Sequence, residues 1–409
     1  EEEQESFFQR YCRCLNSFDC TFKITVNNKN KDMDVLRNEV MLKYRNDGFD
    51  KMRESYNRII EEKILEGRQG IEQERYLTIT IERKNFEEAK AQFATIEASM
   101  FRSFAELGSK LTPLTGNERL KILHDYYRLG REDEFNFDIR QGRITGTDFR
   151  NEICNTRIKY HPDYFENEGK VGRVLFIKKY PTYLSDRFFT ELTFLPVHSV
   201  TSVDVVPVPK DLTMKMLQKK YLGIESDIIK QQRTRNRNND FSSDISYATR
   251  QKKKDIEEIM NNVRENDESL YYVSVTMIVM ADDRDELESI CETVDSIAKG
   301  AGCAVDTCMY KQREAVNTTL PIGVRQIETM RTMLTQSLAV LMPFNVQELC
   351  DRNGIYYGVN QISKNIIVGN RKKLLNGNGF IFGVSGAGKS FQAKMEMGSV
   401  LLSTDDNVI

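Results

Sequence analysis

The sequence Gly383-Val384-Ser385-Gly386-Ala387-Gly388-Lys389-Ser390 lies close to the carboxyl end of the chain and has the spacing G-x-x-x-x-G-K-[ST]. A short apolar run, Gly379-Phe380-Ile381-Phe382, precedes it and is typical of a buried strand. After it, the apolar residues between Phe391 and Leu402 recur at helical spacing. A strand, a glycine-rich loop and a helix in this order predict a phosphate-binding loop, the P-loop.

Each residue type in this loop has a chemical reason. Glycine permits positive φ and lets the backbone approach a ligand, because it has no Cβ. Successive N–H groups then form a nest for an anion, and the following helix adds its unpaired first-turn donors. With ATP as the predicted ligand, Lys389 contacts the β- and γ-phosphates as the catalytic residue, and Ser390 holds Mg²⁺. The predicted nucleotide-binding residues are Gly383, Val384, Ser385, Gly386, Ala387, Gly388, Lys389, Ser390 and Phe391.

The residues after the loop do not complete a P-loop ATPase site. Such a site needs a second strand that ends in a metal-binding carboxylate. Asp405-Asp406 comes before the apolar run Asn407-Val408-Ile409, which is the wrong order for that strand. We therefore expect the chain to be a fragment of a longer protein, and its first residue, Glu1, favours the same expectation.

Composition sets broad limits on the chain. Its 409 residues, 40% hydrophobic and 29% charged, are typical of a soluble globular protein of two to three domains. The net charge of −2 gives no overall preference for nucleic acid or an anionic membrane. No apolar run approaches the roughly 18 residues of a spanning helix. Eight cysteines without a C-x-x-C pair, and three histidines, favour reduced and mostly buried thiols over a zinc site.

The region before the P-loop shows one order of elements twice: helix, strand, long helix, strand, helix, strand. The first copy is predicted at 7–18, 20–26, 34–67, 75–82, 85–107 and 110–114. The second copy is predicted at 184–194, 199–208, 211–263, 271–279, 283–297 and 303–309. The pattern indicates two related α+β units, each a small antiparallel sheet backed by helices. Coincidence of a common α+β order is the alternative.

The second long helical stretch is interrupted by a polar, asparagine-rich segment at 231–244. This predicts a helical hairpin, with residues 212–232 running out and 245–263 running back. A basic cluster lies at its tip: Arg233, Arg235, Arg237, Lys252, Lys253 and Lys254. The cluster is either a solvated helix tip or a contact site for phosphate or lipid head groups.

Three further segments are interpreted from their patterns. Residues 130–172 are charged and rich in turn residues, which predicts a loop that joins the two units. Residues 323–344 carry an apolar stripe at helical spacing, which predicts a helix. Residues 354–360 and 364–369 predict a β-hairpin ahead of the P-loop. Whether Asn370 and Arg371 lie near the nucleotide stays open.

The chain resembles, over nearly its whole length and most sharply in its final third, the CagE/TrbE/VirB family of conjugal-transfer ATPases, the largest motors of type IV secretion systems. The version that it resembles is the one found in conjugative elements of Gram-positive bacteria. The resemblance is carried by Met342-Pro343-Phe344, Tyr356-Tyr357-Gly358-Val359-Asn360, Asn376-Gly377-Asn378-Gly379 and Phe382-Gly383-Val384-Ser385-Gly386-Ala387-Gly388-Lys389-Ser390. Residues 7–18 and 239–244 fit the same resemblance.

The resemblance implies a fold class and a domain order. An α+β amino-terminal domain, made of two related α/β units with a long helical hairpin at 211–265, precedes the truncated start of a RecA-like P-loop α/β domain. The corresponding predicted domains are 1–165, 166–345 and 346–409. The family's acidic metal-site residue and arginine finger correspond to positions beyond Ile409, so no residue here is assigned to them.

The resemblance also implies a function. The chain is expected to be part of a bacterial cytoplasmic ATPase, peripheral to the cytoplasmic membrane, that forms a homo-oligomer, commonly a hexamer. It would bind ATP and Mg²⁺ and drive channel or pilus assembly and the transfer of DNA or protein. Its expected partners are other secretion-system subunits at the inner face of the membrane, with DNA as an indirect cargo.

Two alternatives stay open. The first is another RecA-type P-loop motor, such as a DNA translocase. The long α+β region argues against it, because such motors commonly carry other accessory domains. The second is a docking scaffold, in which residues 1–340 bind a partner and the nucleotide segment is inert.

Overall fold

The computed structural model describes residues 2–30, 37–38, 40–66, 71–129, 131, 134–153, 157–181, 183–237, 247–341, 349–351, 354–361 and 365–404. Within these ranges the chain is an α+β protein with thirteen helices and two sheets. No helix in them is long and apolar enough to cross a membrane.

The helices and strands alternate along much of the chain. The helices are α1 (Glu2–Asn16), α2 (Asp50–Glu66), α3 (Phe86–Glu106), α4 (Gly116–Tyr127), α5 (Ile139–Thr145), α6 (Arg150–Ile153), α7 (Asp186–Thr193), α8 (Lys210–Arg237), α9 (Tyr247–Glu265), α10 (Arg284–Gly300), α11 (Gln312–Thr319), α12 (Thr335–Ala339) and α13 (Lys389–Ser403). The strands are β1 (Thr21–Asn30), β2 (Ile71–Thr80), β3 (Ile158–Tyr160), β4 (Phe165–Asn167), β5 (Lys170–Lys179), β6 (Ser199–Val208), β7 (Leu270–Ala281), β8 (Ala304–Thr307), β9 (Arg331–Leu334), β10 (Ile355–Val359) and β11 (Ile366–Gly369).

The main sheet has nine strands in the order β2-β1-β6-β7-β5-β4-β3, with β8 paired to β5 and β9 paired to β7. Strands β5 and β7 pair antiparallel, from Val171 opposite Ala281 to Phe176 opposite Thr276. Strands β10 and β11 form a separate antiparallel pair, which confirms the hairpin predicted ahead of the P-loop.

The two predicted small sheets are wrong, because strands from both copies of the repeated order lie in one sheet. In the order β2-β1-β6-β7, the first strands of the two copies, β1 and β6, are neighbours, and the second strands, β2 and β7, flank them. Pairing two first strands satisfies backbone groups that two small sheets would each leave at an edge. A duplication of the unit stays a prediction.

Two further predicted elements, the strand at 110–114 and the helix at 323–344, are wrong. Residues 110–114 form no strand, since Pro113 has no N–H to give to a ladder. The helix predicted at 323–344 is replaced by β9 and the short α12, and residues 342–348 lie outside the described part. Strand β9 pairs with β7 from Leu270 opposite Leu334 to Val273 opposite Arg331. Pairing with this neighbouring strand overrides the local helical spacing.

Two long segments are also corrected. The predicted loop 130–172 contains α5, α6, β3, β4 and the start of β5. The helix predicted over 34–67 is interrupted, because residues 42–49 are not helical and α2 begins at Asp50. Asp50 accepts hydrogen bonds from the backbone N–H groups of Arg45 and Asn46, which holds the chain in a turn at this point.

The helical hairpin is confirmed by α8 and α9, which pack against each other. Lys253 of α9 pairs with Glu225 of α8 at 3.0 Å and lies over the ring of Tyr221. One cation of the predicted basic cluster therefore holds the two helices together. The tip, residues 238–246, lies outside the described part of the chain.

The chain divides into two compact units, each drawn from separate parts of the sequence. The first comprises Glu1–Val26, Arg75–Leu192 and Val200–Met342, and the second Asn27–Glu74, Thr193–Ser199 and Pro343–Ile409. A core in the first unit packs residues of β5, β6 and β7 against α4 and α11, including Tyr126, Val174, Ile278 and Val316. A core in the second unit joins Ile60 and Ile64 of α2 to Ile366 and Val368 of β11. The domain boundaries predicted in chain order stay predictions.

Candidate nucleotide-binding site

The glycine-rich loop leads directly into helix α13, as its sequence predicts. Gly386 and Gly388 have φ of +82° and +80°, in the left-handed region that favours glycine. Gly388 is the residue that caps α13, which begins at Lys389. Ser390 lies in the first turn of the helix, where backbone N–H groups have no partner within the helix.

Lys389 closes the loop on itself. Its Nζ donates to the carbonyl oxygens of Gly383 at 2.7 Å and Val384 at 2.8 Å. The loop is narrow at this point, since a Cβ added to Gly383 would lie 3.3 Å from the Cβ of Ala387 and 3.4 Å from the Cγ of Lys389. The ammonium group is therefore held against the loop by two backbone carbonyls.

The strand predicted before the loop is wrong. Residues 379–382 pair with no strand in the described part of the chain. The side chains of Phe380 and Phe382 are 82% and 87% exposed, and their rings stack with centroids 5.8 Å apart. An apolar run becomes a buried strand only where a neighbouring strand accepts its backbone hydrogen bonds. The apolar residues Phe391, Met395 and Leu401 of α13 are likewise exposed.

A cluster of three side chains joins the β10–β11 hairpin to α13. The Arg371 guanidinium donates to the Tyr357 hydroxyl at 3.0 Å and pairs with Glu396 at 2.7 Å, and Tyr357 donates to Glu396 at 3.1 Å. A Cβ on Gly379 would lie 2.8 Å from an Arg371 nitrogen, so the segment before the P-loop runs against this guanidinium. The structure thus places Arg371 beside α13 and the loop's approach, a position that the sequence left open.

Two arginines bind the far end of α13. Arg53 of α2 donates to the carbonyl of Leu402 at 3.0 Å. Arg45 donates to the carbonyls of Ser403 at 2.8 Å and Thr404 at 3.2 Å. The last carbonyls of a helix have no partner within it and carry its negative dipole end, so two cations stabilise this terminus.

Arg53 is itself held by two aspartates. Its side chain is fully buried and donates to both carboxyl oxygens of Asp47 and to Asp50 at 2.7 Å. The hydrogen bonds from Arg53 hold the pKa of Asp47 well below its usual range. The backbone N–H of Arg45, followed by the Arg53 guanidinium, lowers the pKa of Asp50. Both carboxylates are therefore charged under all but strongly acidic conditions.

The loop has the groups that bind an anion, with a limited set for a metal. Backbone N–H groups, the start of α13 and the Lys389 ammonium supply donors, and the Ser390 hydroxyl is exposed at the same end of the helix. Among the described residues, no group of three or more His, Cys, Asp and Glu side chains is arranged to hold a metal ion. Asp405 and Asp406 lie outside the described part. The groups of the loop, with the Ser390 hydroxyl, fit Mg²⁺ only when phosphate oxygens share its coordination.

Sequence reasoning placed the loop and its helix and missed the contacts that hold that helix at its middle and at its carboxyl end. Arg371 and Glu396 are 25 positions apart and lie on different elements, and Arg53 meets Leu402 across 349 positions. No periodicity or motif in the sequence marks such pairs. The one local signal was the cluster Asp47, Asp50 and Arg53, whose spacing suits one turn and the start of a helix.

Comparison with known proteins does not assign the chain to a family. No protein-family model matches it, and no curated protein is significantly similar to it in sequence.

Proposed function

We propose that residues 383–391 bind ATP together with Mg²⁺, and that the chain belongs to a motor subunit of a type IV secretion system. The observation that carries the proposal is the loop itself. Two left-handed glycines precede a helix that begins at a lysine, and the ammonium of that lysine lies against the loop. This arrangement combines a helix N-terminus, left-handed glycines and a lysine, and these features favour binding of polyphosphate.

Each residue of the loop has a distinct part in this proposal. The N–H groups from Val384 to Lys389 bind the phosphate oxygens. Lys389 exchanges the carbonyls of Gly383 and Val384 for the β- and γ-phosphates. The phosphates accept its hydrogen bonds more strongly because they are charged. Ser390 contributes its hydroxyl to Mg²⁺. The ion, when bound with the nucleotide, neutralises charge on the transferring phosphate.

The setting of the motor follows from the resemblance. We propose a RecA-like ATPase domain that starts near residue 346, preceded by the α+β part of the chain. The assembled protein would be a homo-oligomer, as a hexamer, at the inner face of the bacterial cytoplasmic membrane. There it would energise pilus or channel assembly together with other secretion-system subunits, with DNA or protein as the cargo.

We predict that Lys389→Ala weakens nucleotide binding by about tenfold to a hundredfold, since charge-assisted hydrogen bonds contribute about 1.5–3 kcal/mol each. Binding of a fluorescent ATP analogue to the 409-residue chain in Mg²⁺ measures this change. The matched control is Lys394→Ala, because Lys394 is an exposed lysine on the same helix. We expect weak binding by the unaltered chain and no turnover, because no described residue is assigned as the metal-site carboxylate.

Three results would contradict this proposal. Equal nucleotide binding by the unaltered chain and by Lys389→Ala would rule out this loop as the nucleotide site. Equal losses in Lys389→Ala and Lys394→Ala would indicate a general effect of charge. If the assembled motor with Lys389→Ala is folded and still transfers its cargo, the proposed motor function of this loop is ruled out.

A further inference from the structure

A groove of about 620 Å³ lies within the first unit. It is lined by residues 75–79 of β2 and by residues 110–114. Apolar side chains of α3 also line it, including Phe93, Ile96 and Met100. The segment Pro321-Ile322-Gly323 completes the lining.

The groove follows the edge of the main sheet. Strand β2 is the last strand of the sheet at this end, and in the described part of the chain it pairs only with β1. Residues 75–79 line the groove as five consecutive residues, and successive side chains of a strand point to opposite faces, so main-chain atoms of β2 border the groove as well as side chains. Residues 110–114, which also line the groove, form no strand and give β2 no ladder. As an end strand of the sheet, β2 has one edge that pairs with no further strand in the described part of the chain.

The charged side chains around the groove are mostly cations. Arg75, Lys110 and Arg119 line it, with Glu97 as the one carboxylate among its lining residues. The side chains of Lys110 and Arg119 are exposed and form no ion pair among the described residues. An occupant with carboxylates is therefore favoured over one with amines.

We propose that this groove binds an extended, acidic segment of a partner protein, which adds to β2 as a further strand. Backbone hydrogen bonds to residues 75–79 provide the register, aliphatic side chains enter the groove beside α3, and carboxylates meet Lys110 and Arg119. The five strand residues span about 16 Å, which matches about five residues of an extended peptide. An acyl chain would fill the apolar space but could form no backbone hydrogen bonds with β2. The inference does not depend on nucleotide binding.

The test uses fluorescein-labelled peptides of seven residues with blocked ends. The first alternates aspartate and valine and has aspartate at both ends. The second has lysine in place of aspartate, and the third is the first with its central valine N-methylated. Fluorescence anisotropy with the 409-residue chain should show that the acidic peptide binds and that added salt weakens it. The lysine peptide should not bind, and N-methylation should weaken binding because it removes a donor. Hydrogen exchange should show new protection at the amides of 75–79.

Variants of the chain test the charge argument. Lys110→Glu combined with Arg119→Glu should lower the affinity for the acidic peptide by about tenfold or more, from two lost attractions and two new repulsions. Arg102→Glu is the matched control, since Arg102 is an exposed cation of α3 that does not line the groove. That control should bind the acidic peptide as the unaltered chain does.

Several outcomes would overturn the proposal. They are absence of binding by the acidic peptide, equal binding of the acidic and lysine peptides, and binding without protection at 75–79. Protection that rises with protein concentration alone would identify a second copy of the chain as the occupant. Binding of phosphatidylglycerol vesicles that is lost in the Lys110→Glu, Arg119→Glu variant would identify a lipid surface instead.

Discussion

At the scale of single residues, Lys23 of β1 shows how a buried charge can organise a loop. Its Nζ donates to the carbonyls of Thr318 at 2.5 Å, Leu320 at 3.3 Å, Ile322 at 3.1 Å and Val324 at 3.1 Å. The residue is 3% exposed. Burial lowers the pKa of Lys23 to about 8, against the opposing charge of Asp204. One ammonium group therefore fixes the segment that also lines the groove beside β2.

We predict that Lys23→Met lowers the free energy of unfolding by about 2 kcal/mol or more, because buried carbonyls that lose their donor keep their desolvation cost. Urea unfolding followed by circular dichroism measures the change. Lys51→Met, at an exposed lysine of α2, is the control and should change stability by less than about 0.5 kcal/mol. Equal stability of Lys23→Met and the unaltered chain would show that the contacts of this ammonium, whose three N–H donors are shared among four carbonyls, contribute nothing net.

The sequence identified residues whose type is diagnostic and missed residues whose partners are distant. Gly386 and Gly388 were predicted, because left-handed backbone selects glycine and the spacing is local. Lys23 and Arg53 were not, because a buried cation shows no pattern of its own. Their partners, Thr318 and Leu402, lie 295 and 349 positions away.

At the scale of elements, helices with clear start signals were predicted best. Asn85 caps α3 and Asp283 caps α10, each through a side chain that accepts a backbone N–H of the first turn. Both helices begin within one residue of the predicted position. Strand β5 was missed, although it pairs with β4, β7 and β8. Its buried residues Val174, Leu175 and Ile177 form a nearly continuous apolar run, which lacks the alternation that marks a half-buried strand.

The cap at the end of α13 predicts a pH dependence at the element scale. The pKa of Asp47 is depressed in the folded chain, so its contribution to stability is present above the unfolded pKa of about 3.9 and is lost as the pH falls. The melting-temperature loss caused by Asp47→Asn should therefore be largest near neutral pH and shrink below about pH 4.

Thermal unfolding between pH 7 and pH 2 measures this difference. Asp19→Asn is the control, since Asp19 is exposed and forms no ion pair among the described residues. A loss for Asp47→Asn that stays constant across this range would contradict the role of Asp47 as the charged partner of Arg53.

At the scale of the whole molecule, the sheet order β2-β1-β6-β7 places the first strands of the two copies side by side. Thr25 of β1 and Ser202 of β6 meet there, with their hydroxyl oxygens 2.8 Å apart and both residues buried. Ser202 donates to the carbonyl of Thr319, so Thr25 is the donor to Ser202. The first two strands of each copy were predicted from the sequence, but their union in one sheet was not, since strand pairing depends on edges far apart in the chain.

We predict that Thr25→Val and Ser202→Ala are coupled by about 1 kcal/mol in a double-mutant cycle of unfolding free energies, because they share one buried hydrogen bond. Chemical denaturation of the two single variants and the double variant gives the value. The control cycle pairs Thr25→Val with Ser289→Ala on the exposed face of α10 and should show additivity. Additive effects for Thr25 and Ser202 would contradict direct contact between β1 and β6 at this position.

The contacts of Arg45 and Arg53 with the end of α13 determine which truncated versions of this protein are suitable for study of the loop. The helix that begins at the glycine-rich loop ends on Arg45 and Arg53, about 350 positions earlier in the chain. A shortened protein that starts at residue 346 would keep every residue of the motif and lose the far anchor of its helix. Failure of such a piece to bind a ligand would reflect the loss of the contacts from Arg45 and Arg53. Any experiment on the loop should therefore include the first seventy residues.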